Sequence, residues 1–425
     1  MPTRFMSYLA LGSSLSCCLP AQQIWRVECA GGPGVDFTDL PQAVAAASPG
    51  DEIWVYRDYS HPCPGWVGYT APNIDKPLRI VGFSSNPWLP GVNMRGLVTV
   101  TAIPAGSCVI LSNLLFAHGG TLTIDPIGIE ATNCLGDVII EGALLQSSGI
   151  VGATMQFQSC ANVILRGCMF HISGAPVSAV DSSVLVTNTL INHEAPWFPG
   201  TMFSPTQTAE GLRLTNSTAT IITSLVWGSG VINLPPLSQW QARSAVMLDN
   251  STLEVGPGTF LIVGPFSPIF GNPDSYRTFG SGIATVYQDP RAFIDHVPYI
   301  TNGPPPIPRD LHATMHNQIG ANASFDLIVA GPPAGYAVLA VGNYSSPPLP
   351  TSLGPLWLDP ATITVIGCNL LDPVQGLHNS TLFCPAGVPV GYAFALQSVV
   401  LAPNGTMSLT IPSPVVVGWQ LGLAP

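Results

Sequence analysis

His193 and Glu194 stand side by side, with Glu210 and Arg213 some twenty residues on and Arg243 further along. A neighbouring imidazole and carboxylate form the minimal pair for moving protons, and an arginine can hold a sugar carboxylate or hydroxyl beside them. Aromatic side chains are interleaved with these groups: Trp197 and Phe198 in one stretch, Trp240 within the other and Trp227 at its entrance. Indole faces stack on the CH faces of sugar rings, so residues 192–211 and 228–247 read as binding loops for a saccharide. The same tryptophans would serve equally to clamp the loops onto the body of the protein. No pair of adjacent aspartates exists, and Asp51-Glu52 is the only acidic doublet set against a scatter of single carboxylates. Hydrolysis by a close carboxylate set, or calcium-dependent elimination, therefore has no visible motif. No Cys/His spacing matches a zinc site, and no metal or cofactor is expected.

The elements that would position these groups repeat. Val109–Phe116 (VILSNLLF), Val138–Leu145 (VIIEGALL), Val163–Phe170 (VILRGCMF), Val184–Ile191 (VLVTNTLI) and, more loosely, Thr220–Trp227 (TIITSLVW) share one pattern, starting 29, 25, 21 and 36 residues apart. Three apolar residues, two small or polar ones and three more apolar ones read as strand, bend, strand. Asn113, Gly142, Gly167, Asn188 and Ser224 fill the fifth slot. Asn and Gly tolerate a left-handed backbone best, so the slot predicts a recurring corner. Units that cannot bury an apolar face alone must stack, here about 4.8 Å apart. Some eight turns over residues 77 to 290 would make a rod on the order of 40 Å long. Cys108, Cys134 and Cys160 are spaced for stacking at one level. The second slot (Ile110, Ile139, Ile164, Leu185, Ile221) is also apolar; either these side chains face outward under some cover or the register is shifted.

Composition agrees with a loop-rich β protein. Gly and Pro number 43 each in 425 residues, and charged residues make up 8%, well below the usual share of about 25%. Formal net charge is −11 and Lys76 is the only lysine. Nucleic acid and anionic membranes, which need clustered cations, are unlikely partners by this measure. No run long and apolar enough for a membrane span occurs beyond the first 21 residues. Those 21 residues have the form of a secretion signal, with Arg4, an apolar stretch and Leu19-Pro20-Ala21, and place the protein outside the cell or at its surface. Cys17 or Cys18 could alternatively carry a lipid. Export permits disulfides; Cys29 with Cys63 and Cys368 with Cys384 are the expected pairs, and Cys168 is expected as a buried thiol. Six N-x-S/T triplets, at Asn216, Asn250, Asn322, Asn343, Asn379 and Asn404, read as turn chemistry.

Leu40–Ala47 is the one clear helix, capped by Thr38 or Asp39 with Pro41 in its first turn and stopped by Ser48-Pro49-Gly50. Its sequence context, GVDFTDLPQAVAAASPGDEIWVY followed by DKPLRIVGF at Asp75–Phe83, resembles the entry segment of secreted parallel β-helix proteins of the pectin lyase-like class. The resemblance covers residues 30 to 290. It implies that the helix plugs the open N-terminal end of a right-handed solenoid, whose strand edges would otherwise be unpaired. It does not choose an activity, since that scaffold carries lyases, hydrolases, esterases and inert spikes alike. Phe293-Ile294-Asp295-His296 is similar to a stretch of pectate lyases but lacks their Arg-rich segment. Ile269–Asn272 is similar to a pectin methylesterase motif whose nucleophilic Asp would fall on Pro268.

Residues 291–311 are proline-rich and read as a linker, and 312–425 as a small antiparallel β-sandwich of short strands. Gly387–Thr410 resembles a C-terminal module of exported proteins from planctomycete-type bacteria, which implies surface attachment or partner docking. The expected protein is thus all-β: a right-handed parallel β-helix with an N-terminal capping helix (22–290), the linker, then the sandwich. Its expected role is to contact polysaccharide or a cell-surface component without a recognisable catalytic motif. The alternative is a carbohydrate-active lyase or hydrolase working beside the long loops.

Overall fold

The computed structural model describes residues 23–57, 68–84, 91–117, 127–146, 153–171, 174–192, 211–227, 245–262, 276–278, 284–294, 305–309, 311–316, 323–384 and 393–416. The two compact units of the chain are built chiefly from Ile24–Leu311 and His312–Gly418. The expected signal segment, Cys17 and Cys18 lie outside the described residues.

Three parallel sheets of eleven, nine and eight strands make up the first unit, and in each the neighbouring strands come from successive turns of the chain. One turn runs through Leu97–Thr101, Cys108–Ser112 and Leu114–Ala117, and the next through Ile127–Thr132, Asp137–Glu141 and Leu144–Gln146. This is a parallel β-helix. Val109, Val138, Val163 and Val184 pair in register across four turns of the eleven-stranded sheet. Slots one and three of the octapeptide point into a continuous core, where they meet Phe116, Leu145 and Phe170 from the nine-stranded sheet and Ile129, Met155 and Phe157 from the eight-stranded one.

The fifth slot turns the corner as expected: Asn113, Gly142, Gly167 and Asn188 have φ of 55°, 57°, 56° and 48°. The last copy is one residue out of the expected frame. Val184 pairs with Ala219 and Val186 with Ile221, so the repeat there is Ala219–Val226 and the corner residue is Thr223, φ 48°, rather than Ser224. Ile221 accordingly belongs to slot three and is fully buried in the core. The true second-slot residues do face away from the interior. Ile139 and Ile164 are nevertheless only 2% and 1% exposed, with Ile110 and Leu185 half-buried, so the outer stripe is covered.

A second left-handed corner, which the sequence reading missed, joins the eight-stranded to the eleven-stranded sheet at Ala102, Asn133, Ser159, Asp181, Asn216 and Asn250. Each of the last five is followed by a Cys or Ser whose side chain points inward and bonds the carbonyl two residues back. Cys160, Ser182 and Ser217 each offer a backbone N–H to the hydroxyl of the next turn, on Ser182, Ser217 and Ser251. Thus Cys134 and Cys160 stack, but Cys108 does not join them. It pairs with Asp137 at the start of a strand, and the regular spacing of the three cysteines is a coincidence of loop lengths. The asparagines at Asn216 and Asn250 form their own step, Nδ2 of Asn250 donating to Oδ1 of Asn216 at 2.9 Å.

Helix α1, Leu40–Ala46, closes the N-terminal end. Asp39 is its N-cap, accepting from the Leu40 N–H, with Pro41 in the first turn. It touches the terminal strand of all three sheets: Ile24–Glu28, Tyr69–Thr70 and Asn73–Ile74. Leu40, Ala43 and Val44 seal the core there. Lys76, the single lysine, donates to the carbonyl of Ala47 at the helix C-cap, 2.9 Å away, where a cation is electrostatically favoured. Asp51 is spent locally too, accepting from Trp25 Nε1 and the Ser48 N–H.

The stretch read as a linker is partly solenoid. Phe293–Ile294 ends the nine-stranded sheet and Ile307–Pro308 ends the eleven-stranded one. Buried Asp289 fixes this last turn. Its carboxylate takes two bonds from the Arg291 guanidinium and one from the Leu311 N–H, all at 2.8 Å.

The second unit packs a three-stranded antiparallel sheet (Ala313–His316, Ala323–Ala330, Leu377–Cys384) against a five-stranded one built around Tyr336–Gly342 and Ala393–Leu401. Phe325, Leu327 and Val329 meet Ala337, Leu339, Leu396 and Val400 in its core. The expected Cys368–Cys384 disulfide is absent: both thiols are free. Cys368 sits exposed on Thr364–Leu370, while Cys384 is buried on a strand of the opposing sheet. Among the described residues no helix is long and apolar enough to cross a membrane.

Candidate functional site

Inward-facing Val98, Val100, Ile129, Ala131, Met155, Phe157, Val177, Ala179, Leu212 and Leu214 leave the alternate positions of the eight-stranded sheet on its outer face. There Thr99, Glu130, Gln156, Ser178, Arg213 and Met247, the last of them buried, are register partners, one per turn. Gln156 and Arg213 are exposed; Thr99, Glu130 and Ser178 are half-buried. The column thus offers mostly hydrogen-bonding side chains at strand spacing, about 4.8 Å apart.

Both long excursions are inserted between the nine-stranded and the eight-stranded sheets. Residues 193–210 follow Leu190–Asn192 of the nine-stranded sheet and precede Leu212–Thr215 of the eight-stranded one; residues 228–244 connect the same two sheets one turn later. Asn192 pairs with Trp227, and Leu212 with Val246, so the two loops leave and return at adjacent positions of one corner. Gly211 makes that return possible. A Cβ there would lie 2.9 Å from Val226 Cγ1 and 3.1 Å from the carbonyl oxygens of Trp227 and Ala245, closer than a side chain tolerates.

Arg213 and Trp227 are therefore brought to the same corner, Arg213 on the outer face of the eight-stranded sheet and Trp227 at the end of Leu225–Trp227. His193, Glu194, Trp197, Phe198, Glu210, Trp240 and Arg243 lie outside the described residues. So does Cys63; Cys29 itself is disulfide-bonded. The register column from Thr99 to Arg213 was not singled out from sequence. Its signal was the period-two alternation in TIDPIGIEAT and GATMQFQS, which the stronger octapeptide overshadowed.

One polar cluster of the solenoid is closed. On the outer face of the eleven-stranded sheet, Arg166 Nη1 meets Glu141 Oε1 at 3.2 Å and Ser112 donates to Glu141 Oε2 at 3.0 Å, all three buried. Asn162 bonds Asp137 at 3.0 Å. The nearby Cys108 thiol is pushed up to about 11, chiefly by burial and then by Asp137 and Glu141, which leaves it a poor nucleophile. Cys168, buried as expected, is raised to about 12 by burial. Cys134 is shifted down and Cys160 up because Cys160 shares its thiol proton with Cys134 inside the core. Among the described residues no three His, Cys, Asp or Glu gather as a metal site. No protein-family model and no curated protein matches this chain.

Proposed function

We propose that this is an exported protein that contacts an extended polysaccharide along the outer face of the eight-stranded sheet and at the corner from which its two long loops leave. One observation carries the reading: two adjacent excursions, one carrying Trp197 and Phe198 and the other Trp240, leave the same corner as a register column of Thr99, Glu130, Gln156, Ser178 and Arg213. A repeating polymer lying along the solenoid axis meets an array of donors and acceptors at regular spacing, with indole faces beside it for ring stacking. The bonded state of Cys29 supports an oxidising compartment, and the N-terminal sequence supports export.

Glycan-array binding, run with assays for released reducing ends and unsaturated sugars, tests the proposal. Binding that falls at least tenfold in Gln156→Ala and Arg213→Ala, with no product formed, supports it. Steady product formation abolished by Glu194→Gln or Arg243→Ala would replace it with a polysaccharide lyase or hydrolase.

A further inference from the structure

Between the sheets of the His312–Gly418 unit lies a cleft of about 560 Å³, a size typical of sites for small organic molecules. Phe325, Val341, Phe394 and Leu396 carry the domain core into it, and Ile366 and Phe383 stand at 41% and 59% exposure on its lining. Among the described residues no Asp, Glu, Lys, Arg or His lines it. The polar side chains of that lining are Asn343, Thr362 and the buried free thiol of Cys384, and the threonine hydroxyl is already committed, accepting from the Asn343 N–H at 2.8 Å and donating to the Asp359 carbonyl at 3.0 Å.

These features select a ligand. A buried polar atom on the occupant would find few partners among phenylalanine and aliphatic walls, and an unpartnered polar group is costly. A buried charge would meet no counter-ion. A hydrocarbon chain meets neither difficulty if its polar end stays at the mouth, where water is available. Apolar side chains left facing solvent beside a neutral, apolar cleft mark an interaction site rather than ordinary surface. We propose that the C-terminal unit binds one fatty-acyl chain, in the form of a free single-chain lipid, in this cleft. This site is independent of the saccharide surface proposed for the solenoid.

The test is titration of the full-length protein with palmitic acid and lauric acid, read by native mass spectrometry and by displacement of an environment-sensitive fluorescent fatty acid. One chain bound per protein is expected. Leu382→Trp, which fills the cleft from its wall, and Ile366→Trp, which fills it from its exposed rim, should each weaken binding at least tenfold while the melting temperature stays near wild type. No binding by the wild type, or binding that survives both folded variants, overturns the proposal. Sedimentation of the protein with phosphatidylcholine vesicles overturns it too, in favour of membrane docking; protein left in the supernatant while palmitic acid binds supports it.

Discussion

Arg166 and Glu141 face each other across adjacent turns of the solenoid at 3.2 Å, both nearly sealed from solvent on the outer face of the eleven-stranded sheet. Ser112, one turn earlier, supplies a further bond to the same carboxylate. Removing one partner strands the other charge in a desolvated place. Glu141→Ala should cost about 3–5 kcal/mol, whereas Glu141→Leu combined with Arg166→Met should be close to neutral. Thermal and urea unfolding of the three proteins decides the matter. A mild single mutant would mean that water reaches the pair and that it is an ordinary surface bridge.

Thr223 holds φ at 48° where its counterparts one to four turns away are Asn188, Gly167, Gly142 and Asn113. A β-branched residue is the least suited to that conformation. Thr223→Gly should stabilise the solenoid by about 1 kcal/mol, the cost of a left-handed backbone for a side chain with a Cβ, and Thr223→Asn by a smaller amount, since Asn keeps the Cβ but loses the β-branch. An unchanged or lower melting temperature would show that the threonine side chain compensates through its contacts with the neighbouring turn.

The last turn should be sensitive to acid. Burial alone would raise the Asp289 pKa, but the Arg291 guanidinium and the N–H groups of Leu311 and Arg291 outweigh it and hold the carboxyl below its ordinary 3.8. A group with a depressed folded value contributes stability that is complete above the unfolded value and is lost as pH falls through the folded one. The protection of the Leu311 amide, taken relative to its intrinsic exchange rate at each pH, should therefore be high at neutral pH and fall below about pH 4. Asp289→Asn should exchange faster at neutral pH and lose that acid step. An acid step that persists in Asp289→Asn would assign it to another group.

Repetition made the solenoid legible. The octapeptide's apolar slots and its Asn/Gly corner are local demands of a strand-bend-strand unit, and α1 announced itself through Asp39 and Pro41. The second corner was harder to see, because Ala102, Asn133, Ser159 and Asp181 share only a conformation. Its real signature is the following inward Cys or Ser, whose small polar group bonds both its own chain and the next turn. The frame error at Thr220 arose because Ala219 is a weak apolar match, although it pairs with Val184. Prolines hid the final turn, since Pro308 can still sit at the end of a sheet whose edge asks for no further donor. The outer column of the eight-stranded sheet was faint because each turn contributes one residue to it, and only register brings Glu130, Gln156 and Arg213 into line.

Cysteine chemistry separates the observed structure from the expected pairing in the second unit. Among the described free thiols, Cys368 is exposed, Cys108 half-buried, and Cys134, Cys160, Cys168 and Cys384 buried. Thiol reagents need access and a thiolate. Burial denies the first to Cys168 and Cys384, and desolvation raises the pKa of both. Peptide mapping after a brief maleimide pulse on the native protein should therefore place the label on Cys368 well ahead of the other five. Cys368→Ser should remove most of that rapid reaction. A linked Cys368–Cys384 peptide in a non-reducing digest would instead restore the disulfide and require the two opposing sheets to lie differently, since these residues belong to strands that share no ladder.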